Sequence, residues 1–318
     1  MAAPAPDGLE AGVRAGDTRA VARAISLVED ARPEARALLA ALFPHAGGSL
    51  VVGVTGPPGA GKSSLVDRLT AHLRRQGRTV GIVAVDPTSP FTGGAILGDR
   101  IRMQAHATDP GVFIRSMATR GHLGGLAATT DQALLVLSAA GKDVILVETV
   151  GVGQDEVEIV GTADVSVVVL VPGLGDEVQA LKAGIMEIAD VFAVNKADRD
   201  GVERVVAEIA SMLSLAAADT EPPAVVKTVA TRDEGIAELL EAVEAFHRRA
   251  RDSGALAKKR RAQMRRQLED AVRQRVMGHV FRKVVPPEEL ERTLERLAAR
   301  AIDPFTAADG IVERMGLG

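Results

Sequence analysis

The stretch "SLVVGVTGPPGAGKSSLVDRLTAHLRRQG", residues 49–77, decides the fold. An apolar, β-branched run, "LVVGVT", stops at a Gly/Pro-rich segment, and a segment of helical character follows. The middle, "GPPGAGKS" (56–63), matches Gly-x-x-x-x-Gly-Lys-Ser. That pattern needs a strand before it and a helix after it, because backbone N–H groups of the turn and the helix N-terminus must together face phosphate oxygens. Gly56, Gly59 and Gly61 permit close backbone approach, with Pro57, Pro58, Ala60 and Ser64 completing the cradle. Lys62 is the residue to reach β- and γ-phosphates, and Ser63 offers a hydroxyl to Mg²⁺. The plain alternative, a glycine-rich strand-to-helix turn with a chance lysine, does not account for motif and context together.

Six further runs of the same strand type follow: "TVGIVAVDP", "GVFIRSMA", "DVILVETVG", "VSVVVLVPG", "VFAVNKAD" and "AVVKTVA". Near-continuous apolar strands alternating with helices predict an α/β fold with a mainly parallel sheet covered on both faces. Ligands then bind at the carboxyl ends of the strands. Carboxylates stand there: Asp86 closes "GIVAVD", Glu148 closes "VILVE", and Asp99 lies in "GDRIRM". Each is placed to hold Mg²⁺ directly or through water, the alternative being a helix cap or a surface charge.

The base is read farther along. "NKAD" (195–198) closes a strand, and guanine presents N1–H and a 2-amino group that one carboxylate accepts together, whereas adenine has no such pair. Asp198 is therefore the discriminator, Asn195 supports the loop and purine edge, and the Lys196 stem packs on the ring. In "KTVATRDEGI", Ala230 offers a backbone N–H to guanine O6. By order and spacing the ligand is GTP or GDP rather than ATP.

The rest of the chain sets bounds. With 318 residues, 47% hydrophobic and 25% charged, it has material for a large domain plus appendages. A net charge of −4 gives no global attraction to nucleic acid or an anionic membrane, and 2% aromatics leave little to stack on bases. There is no cysteine, and the six histidines are scattered without zinc-type spacing. No signal-type leader opens the sequence, and the longest β-rich apolar run, 165–171, is too short to span a bilayer. These features lead to the expectation of a cytoplasmic protein.

Three regions are predicted: an N-terminal helical extension, 1–48, read as two short helices interrupted by Pro33; a nucleotide-binding domain, 49–248; and a C-terminal helical arm, 249–318. The arm carries Met264, Leu268, Val272, Val276 and Val280 four residues apart, a narrow apolar stripe on a charged helix.

"TGPPGAGKSS", "VAVDPTSPFTGGAILGDRIRM", "FIRSMATRGHLGG", "ETVGVGQDE", "VPGLGDEVQALKAGIMEIAD" and "NKAD" together resemble the MeaB/ArgK family of P-loop GTPases, relatives of the human methylmalonic aciduria type A protein. The similarity runs from about residue 10 to "DPFTAADGIVERM" at 303–315, and the 86–100 and 120–125 blocks are more specific than the P-loop. The resemblance implies a SIMIBI-type GTPase chaperone of a cobalamin-dependent mutase such as methylmalonyl-CoA mutase. Such a protein gates adenosylcobalamin delivery and protects or reactivates the mutase, and it contacts the cofactor or its adenosyltransferase at most indirectly. It also implies a homodimer through the arm, a second switch at 149–156 containing Gly151 and Gln154, and a third mobile segment at 175–184. There Gln179 and Lys182 swing towards the nucleotide when the mutase binds. Where family members often have "GQSE" and "IKKG", this chain has "GQDE" and "LKAG", so Asp155 adds charge and Ala183 leaves Lys182 as the available lysine.

Three rivals fit less well. A nickel-inserting GTPase needs a His-rich or Cys-containing metal site, which the sequence lacks. An ArgK-type kinase needs an acceptor site and an activating base that no motif supplies. "KKRRAQMRR" (258–266) suggests nucleic acid, but the neighbouring stripe favours a solvated face around a dimer helix. The glutamine that positions water in many GTPases directly follows the glycine of Asp-x-x-Gly; here Glu148 and Gly151 are followed by Val152. Hydrolysis by the isolated protein is therefore expected to be slow.

Overall fold

The computed structural model describes residues 8–86, 106, 108–118, 125–149, 161–173, 188–215 and 221–315, apart from the side chains of 86, 118, 125–127, 215 and 282. The seven runs read as strands are strands: β1 Leu50–Thr55, β2 Val80–Asp86, β3 Val112–Ala118, β4 Val144–Thr149, β5 Val165–Leu170, β6 Val191–Asn195 and β7 Ala224–Thr228. All neighbours are parallel, in the order β3-β2-β4-β1-β5-β6-β7. The strand that feeds the glycine-rich loop lies at the centre of the sheet, between β4 and β5.

Alternation along the strands sends neighbouring residues to opposite faces. On one face Val52, Val54, Ile82, Leu146, Val167 and Val169 pack with α4 (Lys62–Arg75) and α7 (Ile236–Asp252), through Leu65, Leu69, Leu73, Leu239 and Val243. On the other, Val83, Val85, Ile145 and Val147 meet α5 (Gly125–Ala139) and three N-terminal helices. Farther along that face Val168, Leu170, Phe192 and Val194 meet α6 (Val202–Leu215). Burying each such aliphatic side chain contributes about 1.5–3 kcal/mol, and this double-sided burial explains why the strands read as continuous apolar runs.

The N-terminal segment differs from the two-helix expectation. It forms α1 Leu9–Arg14, α2 Thr18–Glu29 and α3 Pro33–Leu42. Asp17 caps α2 by accepting from the Ala20 N–H at 2.7 Å. Pro33 starts α3 rather than breaking a helix, since the first helical turn leaves N–H groups unpaired anyway. Val13, Ile25, Leu38 and Leu42 are fully buried in the second-face core, and Arg115 of β3 is paired with Glu29 at the end of α2.

The chain divides into two compact units, 1–263 and 264–318, with the division inside α8 (Ala255–His279). In the first unit, the first turns of α8 reach the chain on either side of β5. The Arg260 guanidinium forks onto Asp164, Nε to Oδ1 at 2.7 Å and Nη2 to Oδ2 at 2.8 Å, and also donates to the carbonyls of Gly47 and Ser49. Asp164 is buried and also accepts from the Val51 N–H at 3.0 Å. Lys259 bridges the Asp164 carbonyl and the Asp190 carboxylate, both at 3.0 Å, while the Gln263 amide donates to the carbonyls of Gly161 and Ala163.

In the second unit α8 continues to a π-helical turn, Val280–Val284, followed by α9 (Pro287–Ala298) and α10 (Pro304–Arg314). Asp303 caps α10 and Arg314 pairs with Glu289 of α9. Met264, Leu268, Val272 and Val276 are exposed, but Val280 is buried. Four-residue steps on a 3.6-residue helix advance about 40° each, so the stripe spirals instead of keeping to one face. Among the described residues, no helix is long and apolar enough to cross a membrane.

Arg260→Ala leaves the buried Asp164 carboxylate with a single backbone donor and is expected to lower the unfolding free energy by about 2 kcal/mol in urea titrations. Arg260→Lys should recover only part, because an ammonium cannot reproduce the fork.

Candidate nucleotide-binding site

Between β1 and α4 the loop turns tightly, with two glycines that nothing else could replace. Gly56 has φ 141°, and a Cβ there would lie 2.1 Å from the Val169 carbonyl oxygen, so the loop crosses directly over the β5 backbone. Gly61 has φ 88°, and its Cβ would lie 2.5 Å from the Asn195 amide nitrogen. Lys62 and Ser63 open α4 and are buried. The Lys62 ammonium donates to the carbonyls of Gly56 at 2.6 Å and Pro57 at 3.1 Å, which keeps its charge on the inner side of the loop.

The Ser63 hydroxyl donates to Glu148 Oε1 at 2.5 Å. Glu148 is buried near the end of β4, whose last residue, Thr149, donates its hydroxyl to that of Thr55 at the end of β1. Parallel pairing of β1 with β4, Val54 opposite Glu148, brings the two ends level. A buried hydroxyl and carboxylate side by side beside a phosphate cradle fit a hard divalent cation such as Mg²⁺. Among the described residues there is no group of three or more His, Cys, Asp or Glu around one point, so phosphate oxygens and water would complete the shell. Asp86 ends β2, level with Ala118 of β3, and its side chain lies outside the described residues. Asp99, Gly151, Gln154, Gln179 and Lys182 also lie outside the described residues.

Asn195 is a buried connector. Its amide N–H₂ donates to the Ala60 carbonyl at 2.8 Å, and its amide oxygen accepts from the Thr228 hydroxyl and the Ala230 N–H, both at 3.2 Å. One side chain therefore joins the phosphate loop, the end of β6 and the turn after β7. Lys196, at φ 56°, stretches its ammonium back to the Gly59 carbonyl at 2.7 Å, so its stem lies across the loop. Ala230 N–H, the expected donor to O6, donates to Asn195 at 3.2 Å. Asp198 is ion-paired with Arg232 Nη2 at 3.2 Å.

The structure thus brings Lys62, Ser63, Glu148, Asn195, Lys196, Asp198 and Ala230 to one end of the sheet, around the loop 56–63. Thr228 and Arg232 were missed by sequence reasoning. Thr228 ends a strand like any threonine, and Arg232 looks like an ordinary turn charge. Only the parallel pairing of Asn195 with Thr228 places them beside the motif.

A family model described as "Methylmalonyl Co-A mutase-associated GTPase MeaB" matches residues 21–284. A protein of Pyrococcus horikoshii named as a GTPase is 49% identical over 314 residues, covering 97% of this chain and 98% of that one. The mitochondrial methylmalonic aciduria type A homolog of Mus musculus is 34% identical, over 95% of this chain and 78% of that one. Among solved structures, one titled as a LAO/AO transport system kinase matches with a TM-score of 0.71 and 29% identity, covering 97% of this chain and 96% of that one.

Asn195→Ala leaves a buried carbonyl, a hydroxyl and an N–H without their shared partner. It should lower the unfolding free energy by about 2–3 kcal/mol and weaken guanosine nucleotide binding at least about tenfold, read by thermal unfolding and titration calorimetry. Gly61→Ala, which drives a methyl into the same amide, should reproduce the affinity loss.

Proposed function

The chain belongs to the MeaB family of methylmalonyl-CoA mutase-associated GTPases, and on that premise we propose that it is a GTP-hydrolysing chaperone of a cobalamin-dependent acyl-CoA mutase, acting in the cytoplasm. The mutase it serves is methylmalonyl-CoA mutase or a close relative, and the task is to gate adenosylcobalamin delivery and to protect or reactivate the enzyme. The observation that carries the reading is the buried Ser63–Glu148 contact beside the P-loop. It supports the reading because Glu148 stands at the root of the segment 149–156, where one carboxylate would serve both cation binding and the switch that follows it.

In this reading Lys62 exchanges the carbonyls of Gly56 and Pro57 for β- and γ-phosphate oxygens, while the loop amides and the α4 N-terminus hold the remaining phosphate charge. Ser63 and Glu148, with Asp86 and Asp99, would hold Mg²⁺, which would supply charge neutralisation at the phosphates. Asp198 accepts N1–H and the 2-amino group, and Ala230 N–H meets O6. Gly151 senses the γ-phosphate through its N–H. Because Val152 stands where a water-positioning glutamine is often found, turnover by the isolated protein is slow. Docking of the mutase brings Gln154, Gln179 or Lys182 to the developing phosphate charge and accelerates it. Release of the γ-phosphate then relaxes both switches. The arm pairs two copies of the chain through the exposed Met264, Leu268 and Val272.

Asp198→Asn replaces an acceptor with an amide and should move preference from guanine to xanthine nucleotides, measured by competition binding. Unaltered guanine preference would sink the base assignment. Lys182→Ala should leave the basal GTPase rate and lower mutase-stimulated turnover by at least about tenfold in steady-state assays with the purified mutase. An unchanged stimulation would remove Lys182 from the mechanism, and absence of mutase binding in pull-downs would remove the partner.

A further inference from the structure

The reading above uses Asp198 and Ala230 but leaves Arg232 without a task. We propose that Arg232 is a positioning residue for base recognition: it holds the Asp198 carboxylate so that two acceptor sites face the N1–H and 2-amino groups of guanine. This rests on the assignment of Asp198 and Ala230 to the base.

The turn that carries Arg232 is fixed from three sides. Residues Ala230–Arg232 form one 3₁₀ turn, closed by the Arg232 N–H donating to the Val229 carbonyl at 2.9 Å. Val229 and Glu234 are bridged antiparallel by N–H bonds of 3.0 and 3.3 Å. Asp233, at φ 61°, receives His72 Nε2 at 2.9 Å and Arg75 Nη2 at 3.1 Å, both from α4, the helix that begins at Lys62. Although burial works against it, these two bonds hold the Asp233 carboxyl below the ordinary range. Gly235 approaches so closely that a Cβ would lie 2.0 Å from the Lys227 carbonyl oxygen. The turn is therefore attached to α4 and β7.

Asp198 stands on a different element, the turn after β6, where the Ala197 N–H donates to the Thr228 carbonyl at 3.0 Å. Between the two turns, the Arg232–Asp198 pair at 3.2 Å links side chain to side chain. The donor expected to meet O6 and the acceptor expected to meet N1–H and the 2-amino group lie on opposite sides of this link, which acts on the carboxylate's orientation while the Asn195–Ala230 and Ala197–Thr228 bonds hold the two turns together. A carboxylate offers about four lone-pair sites, and the Arg232 guanidinium stands as an ion pair 3.2 Å from Oδ2. Enough remain for both donors of the base. Both partners are partly exposed, 59% for Arg232 and 32% for Asp198, so the pair is screened and its effect is a modest factor rather than an all-or-none requirement.

The test is titration calorimetry of the full chain with GDP, with IDP, which lacks the 2-amino group, and with ADP. Wild type, Arg232→Ala and Arg232→Lys are compared at low and high salt. Arg232→Ala should weaken GDP about threefold and IDP less, narrowing the GDP/IDP ratio, with the difference shrinking as salt rises. Arg232→Lys, which keeps a positive charge beside Oδ2, should restore most of the ratio. A GDP/IDP ratio unchanged in Arg232→Ala at an unaltered melting temperature overturns the proposal. So does tighter GDP binding, which would make Arg232 a competitor for the carboxylate. A wild-type chain that does not prefer GDP to ADP removes the base assignment itself, and the proposal with it.

Discussion

Much of this molecule is organised around one buried amide. Asn195 ties the Ala60 carbonyl of the phosphate loop to the Thr228 hydroxyl and Ala230 N–H of the turn after β7. A glycine-rich loop has no side chains to hold its own shape, and its backbone groups must be satisfied from outside. The amide does this with one donor and one acceptor in a water-poor setting, where a hydrogen bond is stronger and an unpaired polar atom is costlier. Gly61 is glycine partly to make room for it. The phosphate loop and the turn proposed to read the base therefore share a part.

The connector is useful only because the sheet is parallel and its central strand is the one before the loop. With β4 on one side and β5 and β6 on the other, the ends of four strands reach the same rim. Glu148 arrives there from β4, Ser63 from α4 and Asn195 from β6, each held by a backbone buried on both faces. Far from this rim, Lys259, Arg260 and Gln263 of α8 bind residues 161–164 and Asp190, which flank β5 in sequence. These contacts hold the chain a few residues beyond 149–156 and beyond 175–184, the two stretches that the family resemblance implies to be switches.

The P-loop, the seven strands and "NKAD" were legible because each depends on local chemistry: glycine at positive φ, β-branched runs of strand length, a carboxylate at a strand end. The number of N-terminal helices was not, since Pro33 reads equally as a break or as a helix start. The stripe at 264–280 read as one face because four-residue spacing looks helical on paper, while the true helical period rotates Val280 away.

Sequence by itself thus determined the class of fold and the glycine-rich loop ahead of α4, and it carries the proposal that Asp198 reads the base, all consequences of interactions within a few residues. Tertiary structure decided which distant groups meet. The closeness of Ser63 to Glu148, the three-way bond of Asn195 and the Arg232–Asp198 pair each join residues from separate elements. The reason is physical: strand order and register are set by the summed burial of two apolar faces, a property of the whole chain that no single motif encodes.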